Sequence, residues 1–166
     1  MTKTTRKGLL VAIVHVAMVS GLGVKFLVDR ATRPRVWVRA APVDPNLPIR
    51  GRYVSLGIQI AAEPGMQAGA PAILSVKDGG IYATPGPESS SVHLGQGWPG
   101  LRLPGADQNV IGPVAYFIPE HVADPSRRGP GEELWVEVTV PRRGLPRPIQ
   151  LGVKKDGVLT PLDLRN

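Results

Sequence analysis

Hydrophobic residues follow two regimes along this chain. From Gly8 to Val24, seventeen consecutive residues carry no charge, and beyond Lys25 the triplet Phe26-Leu27-Val28 extends the apolar stretch to 21 residues. A helix of that length rises about 30 Å, the thickness of a bilayer core. Only His15 and Ser20 interrupt it, so it lacks the polar face of a helix packed on a globular core. After residue 34 the pattern changes to alternation. Arg35-Val36-Trp37-Val38-Arg39, Tyr53 to Ala61, Ala72 to Val76, Ile81 to Ala83, Val114 to Ile118, Leu134 to Val140, Ile149 to Val153 and Val158-Leu159 all read as strands. In the clearest of them Leu134, Val136, Val138 and Val140 share one face and Trp135, Glu137 and Thr139 the other.

Turn chemistry punctuates these runs. Lys77-Asp78-Gly79-Gly80 and Lys155-Asp156-Gly157 are hairpin signals, because Asp-Gly accepts the positive φ values of a tight two-residue turn. Residues 84–91 (Thr-Pro-Gly-Pro-Glu-Ser-Ser-Ser) read as a mobile loop. Val92-His93-Leu94 and Leu101-Arg102-Leu103 are weaker strand candidates, and Pro119 to Asp124 offers at most a turn or two of helix. The pattern predicts an all-β fold, a small and mostly antiparallel β-sandwich or barrel of six to eight strands, preceded by one N-terminal transmembrane helix. Residues 1–30 are expected to form the anchor with its basic flanks and residues 31–166 the β-domain.

Charge sharpens the division. Of the 20 Lys and Arg and 13 Asp and Glu, nine basic and two acidic residues lie in positions 1–50, and the remainder of the chain is balanced. The surplus of +7 therefore surrounds the apolar segment. A nucleic-acid-binding domain would carry its basic stripe on the folded part, so that class is excluded as the expected partner. The membrane is the expected partner instead, with Arg30, Arg33 and Arg35 placed to meet anionic lipid. Cys is absent, which removes disulfides and thiolate metal sites. Eighteen Pro and twenty Gly fall just short of the content at which disorder is the default, and apolar residues are spaced between them.

No Ala-x-Ala triplet follows the apolar core, so an uncleaved anchor is favoured over a cleaved signal peptide. Three basic residues precede the span, while Arg30, Arg33, Arg35 and Arg39 follow it. That count alone favours a cytoplasmic C-terminus, although long domains translocate largely regardless of charge.

One segment is singled out as a candidate binding surface. Ala41-Pro42-Val43-Asp44-Pro45 leads through Pro48 to Arg50-Gly51-Arg52, and the strand from Tyr53 through Leu56 follows. Asp44 and Pro45 build a turn, Gly51 permits a close approach, and Tyr53 and Leu56 pack. The order Pro-Val-Asp-Pro, spacer, Arg-Gly-x-Tyr-x-x-Leu resembles the signature of the GDYXXLXY family. Tyr116-Phe117-Ile118-Pro119-Glu120 is similar to a second segment of that family, and the strand from Glu133 to Val140, followed by a turn and Ile149 to Leu151, is similar to its closing hairpin. Arg52 and Ile58 stand where the family has Asp and Tyr. The resemblance implies a bacterial inner-membrane protein with its soluble part outside the cytoplasm, an integral-membrane partner, and no assigned reaction.

Chemistry-bearing constellations are sparse. The proline-rich turn before Gly-x-Tyr-Val is similar to membrane-anchored Ser–Lys peptidases, whose nucleophile stands just before the turn. Here Ala40, Ala41, Pro42 and Val43 occupy those positions, Ser55 is inside the strand, and the next lysine downstream is Lys77. His15, His93 and His121 are scattered without metal-ligand spacing, so no metal and no cofactor is expected. Arg127-Arg128 and Arg142-Arg143 lie in Pro/Gly turns, as solvated charges or as contacts to lipid headgroups or an acidic partner. The sequence thus points to a non-catalytic accessory or interaction module, with a degenerate hydrolase on a peptidase-like frame as the alternative.

Overall fold

The computed structural model describes residues 3–43, 53–95 and 110–164. The chain divides into two compact units, Met1–Arg33 and Pro34–Asn166. The first is a helix, α1 (Lys3–Thr32), which ends two residues beyond the anchor expected at residues 1–30. Its segment Lys7–Val28 is long and apolar enough to cross a membrane, and none of it is buried in protein. Polar side chains within α1 turn back onto its own backbone. His15 Nδ1 donates to the Val11 carbonyl (2.9 Å) and Thr32 Oγ1 to the Val28 carbonyl (2.7 Å). Such internal bonding is what an apolar solvent requires of any polar group.

Among the described residues the second unit contains nine strands: β1 (Arg35–Pro42), β2 (Tyr53–Gln59), β3 (Ala61–Ala62), β4 (Ala72–Lys77), β5 (Gly80–Pro85), β6 (Val110–Phe117), β7 (Glu132–Thr139), β8 (Arg147–Lys155) and β9 (Val158–Pro161). They form a six-stranded sheet ordered β6-β2-β1-β7-β8-β9 and a three-stranded sheet ordered β3-β5-β4. The architecture is the expected mostly antiparallel β-fold, with one strand more than the upper expectation and without barrel closure. The only parallel pairing among the described strands is β3 with β5.

Alternation drives the folding of each strand. Val36, Val38 and Ala40 of β1 point inward, as do Leu134, Val136 and Val138 of β7, Ala72 and Leu74 of β4, and Ile81 and Ala83 of β5. With Leu56, Ile58, Ile111 and Leu151 they make one core shared by both sheets. Thr139, expected on the outer face, is buried as well. Both predicted hairpins form, and in each both central residues have positive φ: Asp78 (50°) and Gly79 (74°), then Asp156 (50°) and Gly157 (82°). That is the turn whose twist matches paired strands.

Several expectations are corrected. β6 begins at Val110, before the Gly112-Pro113 pair, because a bulge opposite Leu56–Ile58 absorbs one extra residue. Gly112 is required there, since a Cβ would stand 2.9 Å from the Leu56 carbonyl oxygen. β2 stops at Gln59, and Ala61–Ala62 move to the smaller sheet. His93 makes an isolated bridge to Pro71 rather than a strand, and residues 101–103 lie outside the described residues. Thr84 and Pro85 belong to β5, and the rest of the loop is tied down: Gly86 N donates to the Pro71 carbonyl (2.9 Å) and Ser90 Oγ to the Ala72 carbonyl (2.6 Å). Among the described residues beyond Thr32 there is no helix, and Pro119 to Asp124 holds only a turn, closed by Val122 N to the Pro119 carbonyl.

Leu56 has no exposed surface. Truncation to Ala should cost about 2–5 kcal/mol, the range for fully buried leucines, read as a lower urea midpoint at unchanged slope. A loss under about 0.5 kcal/mol would contradict this account of the core.

Candidate functional site

Of the residues singled out in the sequence, Asp44, Pro45, Arg50, Gly51 and Arg52 lie outside the described residues. Tyr53 and Leu56 open β2 and have different surroundings. Leu56 belongs to the core, registered with Val114. Tyr53 is half-buried opposite Phe117, with ring centroids 6.1 Å apart and planes tilted by 52°. Phe117 remains 73% exposed, an apolar surface at the end of the sheet where the segment 44–52 is attached. Beside it, burial raises the Tyr116 hydroxyl above its ordinary pKa, so it stays a neutral phenol at physiological pH. Ser55 is buried within β2 of the large sheet, whereas Lys77 ends β4 in the small one. Among the described residues no three His, Asp or Glu side chains are grouped to hold a metal ion.

A more developed site lies where the two sheets part. Over Arg35–Arg39, β1 registers with β7, and over Ala40–Pro42 with β2. After β2 the chain passes into β3 of the smaller sheet, and the Asp78-Gly79 hairpin stands beside the first half of β1. The fork encloses a groove of about 600 Å³, a size typical of ligand sites. Trp37, Arg39, Glu133 and Trp135 line it from the large sheet, and Lys77 and Tyr82 from the small one.

Pairing along the strands explains how these side chains are held. Arg39 registers with Trp135 and Glu133 with Lys154, all on the outward face. Arg39 Nη2 meets Glu133 Oε1 at 3.0 Å, and the other carboxylate oxygen accepts from Trp135 Nε1 at 3.1 Å. Glu133 therefore fixes both a guanidinium and an indole. Lys154 Nζ lies 4.7 Å from the Trp135 ring centroid and Lys77 Nζ 5.0 Å from that of Tyr82. Cations so placed are held by the negative face of the ring. Trp37 reaches still farther. A Cβ on Gly152 would stand 2.7 Å from Trp37 Cζ3 and 3.2 Å from the Thr160 carbonyl oxygen. Because β7 separates β1 from β8, the indole must span roughly 10 Å of sheet to rest on the glycine.

The result is a rigid surface of aromatic faces and compensated charges, next to strand backbone. Such a surface suits recognition of an extended segment, with aromatic side chains as anchors and backbone as register. Sequence reasoning placed Trp37, Trp135 and Arg39 on strands but missed their convergence, since the alternation marks them only as outward-facing. No family model, curated protein or solved structure matches the chain.

Gly152→Val should drive the Trp37 ring off β8. The expected loss is about 1–3 kcal/mol, as for overpacked sites, with a shifted tryptophan emission in the folded protein. Unchanged emission and stability together would exclude the contact.

Proposed function

We propose that this protein is a single-pass membrane protein whose β-domain is a non-catalytic accessory module for an integral-membrane partner. The observation that carries the reading is α1, whose apolar side chains are exposed all round. Exposing thirteen large hydrophobic side chains between Leu9 and Val28 to water is strongly unfavourable at ~25 cal/mol per Å², and a bilayer removes that cost. Arg33 and Pro34 alone join the helix to β1. The β-domain is thereby confined to the neighbourhood of the membrane, where an integral-membrane partner would meet it. The Trp37–Trp135 groove supports the interaction role, and the 44–56 motif with Asp44, Arg50 and Arg52 is proposed as a second contact surface. The resemblance to the GDYXXLXY family supports a bacterial inner-membrane setting with the β-domain outside the cytoplasm.

Full-length protein should resist extraction by carbonate and high salt and keep its first thirty residues. A mature terminus between residues 18 and 41 would overturn the anchor. For the groove, the double variant Lys77→Glu/Tyr82→Ala should lower recovery of the cross-linked membrane partner several-fold while its melting temperature moves little, both residues being at the groove rim. Arg50→Ala tests the 44–56 motif in the same assay, and full recovery with both variants would exclude these surfaces as the contact.

A further inference from the structure

A second cleft lies at the end of the β-domain where the chain enters it. Val140 N donates to the carbonyl of Pro34, the first residue of the unit, at 3.2 Å. Arg35 and Arg147 both register with Thr139, so these three residues form one row across β1, β7 and β8. Just past that row the turn Pro141-Arg142-Arg143-Gly144 faces the loop Ser89-Ser90-Ser91, and between them is a cleft of about 440 Å³ floored by Ala72 and Leu74. The two loops are close: a Cβ on Gly144 would stand 4.0 Å from Ser91 Oγ. Gly144 adopts φ +88°, which other residues rarely take, so the arginine turn depends on it.

Ser90 has a structural task. Its hydroxyl donates to the Ala72 carbonyl at 2.6 Å, and Ser90 N donates to the Pro87 carbonyl at 2.8 Å. With Ser90 pinned, Ser89 and Ser91 are presented on either side, both exposed. Among the described residues, neither of these hydroxyls enters a hydrogen bond, and neither Arg142 nor Arg143 enters an ion pair. The cleft wall contains no carboxylate, Glu88 being outside the lining. Arg142, Arg143, Ser89 and Ser91 thus line one hollow whose lining residues include no carboxylate.

We infer that this cleft binds a phosphate ester. Guanidinium groups match phosphate oxygens in bidentate geometry, and serine hydroxyls complete the donor set. The source is the headgroup of an anionic phospholipid, because the cleft is at the end of the domain tethered by two residues to the apolar helix. That choice of source rests on the membrane reading above, whereas the phosphate chemistry does not.

The test uses full-length protein in non-ionic detergent. Binding of phosphatidylglycerol added to the micelles is compared with binding of soluble glycerol phosphate and of inorganic phosphate. Phosphatidylglycerol should bind, and Arg142→Gln/Arg143→Gln should weaken it by about tenfold or more, since each charge-assisted hydrogen bond is worth that much. Ser89→Ala/Ser91→Ala should weaken it a few-fold with no change in melting temperature. The control Arg127→Gln/Lys155→Gln removes two positive charges elsewhere and should leave binding unchanged. Equal losses in the control and the cleft variant would overturn the site in favour of diffuse charge, and absence of binding would overturn it outright. Equal affinity for glycerol phosphate would overturn the lipid source and uphold the phosphate site. Carbonate extraction of the protein together with retained phosphate binding would separate failure of the anchor from failure of the cleft.

Discussion

β1 is shared between two ladders, and the remainder of the β-domain follows from that sharing. Its first half is bonded to β7 and its last three residues to β2. Both partners lie with β1 in the six-stranded sheet. After Gln59 the chain leaves β2, which stays paired with β6, and enters β3, which joins β5. The small sheet is thereby laid over the core, the hairpin tip comes beside Trp37 and Arg39, and the groove opens at the fork. The inward residues Val36, Val38 and Ala40 bind both arrangements to one core.

What was legible in the sequence was local. Period-two alternation identified β1, β7 and β8, because burial on one face imposes it directly. The two Asp-Gly turns announced their hairpins because the backbone at Asp78-Gly79 and Asp156-Gly157 is set by those residues themselves. What was not legible depends on partners distant along the chain. Nothing in Gln59-Ile60-Ala61 signals a change of sheet. The rest of Trp37 on Gly152 joins residues more than a hundred positions apart, and the serine loop meets the arginine turn only through the fold. Composition also misjudged residues 86–91: Ser90 was counted as loop polarity, but its hydroxyl caps a strand carbonyl. Of the motif, Leu56 proves to be core and Tyr53 a half-buried ring against Phe117, so these two positions answer to packing before binding.

The distribution of charge divides the domain's surface by role. On the outer face of the large sheet, Glu133 serves both Arg39 and Trp135, and Lys154 lies over the Trp135 ring, so these charges have fixed neighbours. Compensated groups of this kind hold aromatic surfaces in one geometry at little net gain in stability. At the entry end, Arg142 and Arg143 have no such partners among the described residues. One region is pre-organised and nearly neutral, suited to a shaped partner. The other keeps its positive charge for an external anion.

In the proposed membrane setting, the outermost strands of the large sheet gain a further importance. Proteins confined to a plane meet their own copies far more often than in bulk solution, and open sheet edges invite strand-to-strand polymerisation. At one edge β6 is bulged at Gly112 and contains Pro113, which has no amide hydrogen to offer. At the other, β9 is only four residues long and ends in Pro161. Both edges are therefore poor templates for a further strand, which would keep neighbouring copies in one bilayer as separate domains.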